Sequence, residues 1–342
     1  MNICFIMYPW EKVDPKNDST LALIHECVKR GHKVAMATPA NLTIRNSIAY
    51  GFCNVITNKE GISRSASSFY KSATLKEKML PLAAFDVIFM RANPPLDPIV
   101  LNFLDSVKDD VFIVNSIEGL REANNKIYTA VFDDPNNEII PVTHVSKNKE
   151  YLKKTIKESE QDKMIMKPLN GFGGSGVIML EKSALSNISS LLDFYIDNKD
   201  GSSNYVILQE YIEGADEGDV RILILNGTPI GAMKRVPGEE DHRSNVTAGG
   251  TVVKHKLTKK EKELCDRIGP KLVKDGLFFV GIDVINGKLV EVNVMSPGGI
   301  TYINKVAKIR LQEKVINALE REVDQRNKRI ERKAMLKNSL ND

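Results

Sequence analysis

GIDVINGKLVEVNV, residues 281–294, reads as a β-hairpin, and its oxygen-bearing side chains Asp283, Glu291 and Asn293 carry the clearest chemical signal in the chain. Side chains alternate between the faces of a strand. Ile282, Val284, Val290, Val292 and Val294 therefore share one buried face only if the loop around Asn286-Gly287 has an odd number of residues. A two-residue Asn-Gly turn would put Glu291 and Asn293 on the face of Ile282 and Val284, burying a carboxylate among valines. An odd loop, with Gly287 in the left-handed position of a bulged turn, sends Asp283, Glu291 and Asn293 together to the opposite face. Three hard oxygen donors suit Mg²⁺, which takes carboxylates, waters and nucleotide phosphates, better than zinc, which favours His and Cys. An edge hairpin with a polar solvent face gives the same pattern, so the hairpin alone leaves both readings open.

With 342 residues and 42% hydrophobic content, the chain suits a globular protein of two or three domains. No apolar run approaches the ~20 residues that span a bilayer, and MNICFIMYPW lacks the basic and apolar regions of a signal peptide, so a cytoplasmic location is expected. Cys4, Cys27, Cys53 and Cys265 show no C-x-x-C spacing and read as buried thiols. The net charge of +4 has a local source, because residues 305–342 hold 11 basic and 6 acidic side chains. The near-neutral remainder argues against a nucleic-acid partner.

NICFIMYP, STLALIHECVKRG and HKVAMATP read as strand, helix and strand, with Gly31 closing the helix. FDVIFMR, LDPIVLNFLDSV and VFIVNS repeat the alternation after a Ser-rich stretch, which implies a mostly parallel open sheet with ligands beyond its carboxyl ends. Asp18, Ser19 and Arg91 fall on that edge, although Asp18 or Ser19 equally suits a helix N-cap. Residues 124–200 read as a small α+β insert, and residues 205–294 as hairpins of a more antiparallel sheet. From about Asn304 to Ala334 the pattern is one long polar helix, ~45 Å at ~1.5 Å per residue. Its narrow stripe, Ile309, Val315, Ile316, Leu319, Val323 and Ile330, fits a packed seam or a contact to another subunit.

Lys167-Pro168 precedes NGFGGSG (170–176), whose Gly171-x-Gly173-x-x-Gly176 matches the dinucleotide fingerprint literally. A strand, GVIML, follows where that fingerprint needs a helix, and no Gly-Lys-Ser/Thr ends a P-loop. A glycine turn between strands can instead fold its N–H groups over phosphates, with Lys167 aiming a charge at them; the alternative is a surface hairpin. Gln209, Glu210, Tyr211 and Ile212 form a hinge able to read an adenine edge, with Asp219 near the ribose. Arg221, Arg235 and Arg243 suit a carboxylate or phosphoryl clamp, with Asn245 adding a metal or phosphate contact. Single arginines are more often surface residues. The five histidines form no triad or zinc spacing.

In order, Lys126, the Lys167 glycine loop, Gln209-Glu210-Tyr211, Asp219-x-Arg221, Arg243-x-Asn245 to Gly249-Gly250, and Asp283 to Glu291-x-Asn293-x-x-Ser296 resemble the ATP-grasp ligases, and among them the bacterial type of glutathione synthetase. Lys16-Asn17-Asp18-Ser19-Thr20 and Met90-Arg91-x-x-Pro94-Pro95 extend the likeness into the first domain, to cover residues 1–303. The resemblance implies an α/β protein: an N-terminal open parallel-sheet (pre-ATP-grasp) domain over 1–122, an α+β ATP-grasp domain over 123–310 with a small lid subdomain at about 130–204, and a basic helical tail over 311–342. It implies ATP as co-substrate and ligation of γ-glutamylcysteine to glycine through an acyl phosphate. Asp283, Glu291 and Asn293 would hold two Mg²⁺, or Mn²⁺, and Lys126 and Lys167 the triphosphate. Gly171, Gly173 and Gly174 would cover it, while Gln209 to Ile212 frame the adenine. Arg221, Arg243 and Asn245 would be catalytic, and Asp18, Ser19, Arg91, Gly249, Gly250 and Ser296 would meet the amino-acid substrates. Small-molecule substrates and a homo-oligomer are expected, with neither nucleic acid nor membrane. Residues 298–303 (GGITYI) depart from the family's usual sequence beside the amino-acid sites, and the tail beyond about Arg310 exceeds its usual ending. Open alternatives are a ligase for another carboxylate and amine, and a nucleotide-binding assembly protein without turnover.

Overall fold

The computed structural model describes residues 1–58, 61–169, 175–198, 200–238 and 249–338. They form two units. Met1–Arg121, Leu272–Val280 and the chain from Val294 onward make one; Glu122–Lys271 and Gly281–Asn293 make the other.

The first unit runs β1 (Asn2–Met7), α1 (Ser19–Lys29), β2 (Lys33–Ala37), β3 (Leu42–Arg45), β4 (Ile48–Ile56), α2 (Ala66–Ser72), β5 (Leu75–Pro81), β6 (Val87–Arg91), α3 (Pro98–Asp105), β7 (Phe112–Val114) and α4 (Ile117–Ala123), the last reaching into the second unit. β2, β1, β6 and β7 pair in parallel in that order. The apolar runs of β1 and β6 are buried on both faces, as helix-covered parallel strands require. Asp18 caps α1, its Oδ1 accepting from Leu21 N at 2.8 Å, and Gly31 (φ 79°) releases the chain toward β2. The meander β3-β4-β5 adds an antiparallel wing in which β4 pairs with β2, β3 and β5. The Ser-rich stretch before β5 holds α2, with Ser65 as its N-cap.

The single long helix expected from about Asn304 is two helices, α9 (Ile300–Ala307) and α10 (Leu311–Asn338). Lys308 adopts φ 57°, and Asn304 Oδ1 accepts from Leu311 N at 2.8 Å, so the first helix stops and the second is capped. Leu311, Val315, Ile316, Leu319 and Val323 of α10 are buried, and Arg30 at the end of α1 bonds Glu320 at 2.9 Å. The apolar stripe is thus spent within the unit as far as Val323, while Ile330 is 65% exposed.

The second unit holds α5 (Ile127–Ala130), β8 (Thr143–Ser146), α6 (Lys149–Glu158), β9 (Lys163–Pro168), β10 (Ile178–Glu181), α7 (Ile188–Ile196), β11 (Val206–Glu210), β12 (Asp219–Leu225), β13 (Thr228–Val236), β14 (Thr251–Lys254), α8 (Lys259–Lys274), β15 (Phe279–Ile285) and β16 (Lys288–Asn293). The ends of α8 and β15 cross into the first unit. One sheet, β10-β9-β11-β8, shares a core with α6 and α7 that includes Leu152, Ile156, Met166, Leu192 and Leu208. The other runs β14-β13-β12-β15-β16.

The opening hairpin has the parity the valines require, by a different route. Asn286 (φ 46°) and Gly287 (φ 78°) are both left-handed and make a two-residue turn, with Ile285 opposite Lys288 and Val284 opposite Leu289. The ladder then slips by one residue, and Asp283 stands opposite Glu291. Val290 is the extra residue of a β-bulge. The odd residue therefore lies in the strand, and Leu289 takes the buried place expected of Val290. β12 and β13 repeat the device: Asn226 (φ 47°) and Gly227 (φ 76°) turn, Ile224 faces Pro229, Leu223 faces Gly231, and Ile230 is the extra residue.

Candidate active site

A cavity of about 360 Å³ lies in the second unit between its two sheets. Its walls include Ile165, Val177, Met179, Ile285 and Val290 alongside the ionisable Lys126, Lys167, Asp219, Asp283 and Glu291. Alternation places Lys163, Ile165 and Lys167 of β9 on one face, and all three line the cavity. From β11 onward, Gln209, Glu210, Tyr211 and Ile212 supply another wall. An apolar slot ending in fixed charges is the form expected for a nucleotide.

The charged end is a connected network. Asp283, only 4% exposed, receives Arg221 through Nε–Oδ1 at 2.5 Å and Nη2–Oδ2 at 3.0 Å. Arg235 Nη2 lies 3.0 Å from Asp283 Oδ1, and the same guanidinium donates to Asp219 through Nε–Oδ1 at 2.6 Å and Nη2–Oδ2 at 2.5 Å. Burial alone would raise the Asp283 carboxyl; the guanidiniums of Arg221 and Arg235 outweigh it and hold the group well below the usual carboxylate range. Asp219 is raised, by burial and by the neighbouring Asp283, against the pull of Arg235. Asn293 Nδ2 reaches Asp283 Oδ2 at 3.4 Å, and Lys126 Nζ, at the start of α5, lies 3.2 Å from Glu291 Oε1. Lys167 is 6% exposed. Burial brings its ammonium down to about 8, with Glu291 opposing and Lys126 adding to the fall.

The hinge side chains are held from below. Gln209 Nε2 donates to Thr143 Oγ1 at 2.8 Å, Glu210 pairs with Lys288, and Tyr211 N donates to Gln161 Oε1 at 3.1 Å. Gly218 is indispensable to this corner: at φ 106°, a Cβ there would sit 1.9 Å from the Arg235 carbonyl oxygen.

Both family models match in tandem. The prokaryotic glutathione synthetase N-terminal domain covers residues 1–121, and the ATP-grasp domain of the same enzyme covers residues 125–308. The chain belongs to the prokaryotic glutathione synthetase family. Among its relatives, the glutathione synthetase of Synechocystis sp. is 36% identical over 331 residues, 94% of this chain and 100% of that one. The glutathione synthetase of Gloeobacter violaceus is 34% identical, covering 93% and 96%. A RiPP-associated ATP-grasp ligase of Chryseobacterium gregarium, solved with ADP and a leader and core peptide, superposes with a TM-score of 0.63 at 15% identity, over 94% of this chain and 97% of that one. That last likeness establishes the ATP-grasp fold. As a member of the glutathione synthetase family, the chain is an ATP-dependent ligase of glutathione synthesis, and the family uses ATP with divalent metal ions.

The donor set suits such an ion. Asp283 and Glu291 face each other across the ladder, and Asn293 adds a third oxygen on the same side. No group of three or more His, Cys, Asp or Glu fit for a metal occurs among the described residues, so the amide has to complete any set. Gly171, Gly173, Gly174, Arg243 and Asn245 lie outside the described residues. Gly249 and Gly250 precede β14 in the second unit.

Asp18, Ser19, Arg91 and Ser296 belong to the first unit. There Tyr8 O–H bonds Asp18, and Ser19 Oγ accepts from Gly299 N and Ile300 N at 3.2 Å each, capping α9. Arg91, 1% exposed, donates to Thr20 Oγ1 at 3.0 Å and to the Pro297 carbonyl at 3.2 Å. The GGITYI departure thus begins α9, with Gly299 (φ 123°) at its N-cap.

Arg235 and Lys163 are site residues whose roles the sequence reading does not assign. Arg235 was grouped with the sheet arginines, but counting through the Asn226-Gly227 turn with one bulge places it opposite Asp219. For Lys163 the available signal is the period-two spacing Lys163, Ile165, Lys167, which puts it on the face of Lys167.

Proposed function

We propose that the chain joins γ-glutamylcysteine to glycine and that the cavity of the second unit is its ATP site. The observation that carries this reading is the convergence of Lys126, Lys167, Asp283 and Glu291 on one end of an otherwise largely apolar cavity. Lys126 and Lys167 bind the triphosphate, and the carbonyl and N–H groups from Gln209 to Ile212 hold the adenine. Two Mg²⁺ ions, with Mn²⁺ able to replace them, would be held by Asp283, Glu291 and Asn293 and would neutralise the phosphate oxygens.

A carboxylate oxygen of the dipeptide attacks the γ-phosphorus, and ADP leaves. The glycine amine then attacks the acyl carbon, loses a proton, and expels inorganic phosphate. Arg221, with Arg243 and Asn245, stabilises the charge that develops on the transferred group and the tetrahedral carbon, where one such donor contributes about 3–4 kcal/mol. Asp18, Ser19, Arg91, Gly249, Gly250 and Ser296 position the amino-acid parts, and Gly171, Gly173 and Gly174 keep water from the acyl phosphate. The protein works in the cytoplasm as a homo-oligomer.

Phosphate release is measured with ATP, Mg²⁺, γ-glutamylcysteine and glycine, omitting each in turn. Turnover that needs all four is expected; none with this pair, or equal turnover without glycine, refutes the reading.

A further inference from the structure

The outer face of the β3-β4-β5 wing carries large apolar side chains that the described residues leave exposed. Ile48 is 46% exposed, Phe52 43% and Met79 40%, in an element otherwise built to bury its inner residues Ala49, Gly51 and Cys53. Directly opposed residues share a face, so the register sets Arg45 beside Ile48, Met79 beside Phe52 and Glu77 beside Asn54 on this one surface. An apolar centre therefore has a cation at one end and an anion at the other, about 20 Å apart for six residues at ~3.3 Å each. Arg45 and Glu77 are both exposed, and neither has an ion-pair partner among the described residues.

We propose that this face is a two-fold interface with a second copy of the chain. A two-fold axis through the Phe52–Met79 centre exchanges the ends, setting Arg45 of each copy against Glu77 of the other. Self-complementarity of this kind is what an isologous contact demands. Pairing through the free edge of β5 is disfavoured, because that edge carries Lys76 and Lys78. The contact is therefore face to face, centred on Phe52. The inference rests on the reading of the chain as a homo-oligomer, and it assigns the surface.

The test is mass in solution by light scattering and sedimentation velocity on the full chain, with circular dichroism and ligase turnover as checks of folding. Wild type is expected to be oligomeric, with Phe52→Glu reduced in mass. Arg45→Glu and Glu77→Arg should each weaken association about 10-fold or more, and their combination should restore it. A monomeric wild type overturns both the interface and the homo-oligomer. An oligomeric wild type whose mass survives Phe52→Glu, or a charge swap that does not restore association, overturns this face alone. If Phe52→Glu fails to fold, the charge-swap set decides.

Discussion

The hairpins β12–β13 and β15–β16 are built the same way and deliver different chemistry, the first both guanidiniums of the network and the second the paired carboxylates of the donor set. Each turns through Asn-Gly with two left-handed residues, and each takes in one extra residue, Ile230 or Val290, on its second strand. In both, the slip brings a later functional residue onto the face of an earlier one: Arg235 opposite Asp219, and Glu291 opposite Asp283. Without the slips, the two-residue turns would have sent Arg235 and Glu291 to the other face. Beyond the slip, the first hairpin contributes two guanidiniums and the Asp219 carboxylate, and the second two carboxylates and an amide. The sheet order sets β12 beside β15, so the two sets meet as Arg221–Asp283 and Arg235–Asp283. A bulge here does the work of an active-site loop while staying within a rigid sheet.

The sharpest way to separate the two hairpins is Glu291→Ala. Glu291 is partly exposed, with one ion pair to Lys126, so its removal should leave unfolding by urea nearly unchanged while turnover falls about 10³-fold or more. Retained turnover sinks its assignment as a metal ligand. Asp283→Ala should behave differently. It removes a carboxylate shared by two buried guanidiniums, so a stability loss of about 3–5 kcal/mol should accompany the loss of activity; a melting curve matching wild type would show that the arginines do not depend on it.

Lys167 supplies a pH test in metal-free, nucleotide-free protein. Its folded pKa, about 8, lies below the ordinary 10.5. Below pH 8 both states are charged, and folding bears the whole desolvation penalty. Between 8 and 10.5 the unfolded chain holds the extra proton, so stability rises with pH. Lys167→Met should be the more stable protein below pH 8, by a margin of order 3 kcal/mol that closes toward pH 10.5. A margin constant across that window contradicts the shift. The smallest effect should come from Val290→Ala, which removes cavity wall but leaves Glu291 in place: KM for ATP should rise a few-fold, at about 1 kcal/mol, with kcat nearly unchanged. A collapse of kcat would mean that the side chain itself sets the register.

The alternation of β1, β6 and β9 and the Asp18 cap were legible because they depend on neighbours in sequence. The valines of β15–β16 even demanded an odd count. They did not say where the odd residue lies, since a three-residue loop and a turn plus bulge satisfy the same parity. The same ambiguity hid Arg235. The wing β3-β4-β5 was harder still, because Ile48, Phe52 and Met79 on its open face blur the apolar–polar alternation that marks a half-buried strand. The break at Lys308 rests on a single left-handed residue and one side-chain cap, neither of which disturbs the helical periodicity around it.

The packing of α10 on α1 also sets a timetable. α1 is buried along nearly its whole length, yet Leu311, which begins its partner, leaves the ribosome about 280 residues after Lys29. At roughly 5–20 residues per second, that is a wait of about 15–60 s. The first unit to be synthesised is therefore among the last to be finished, and until then its earliest helix has an uncovered flank for chaperones to guard.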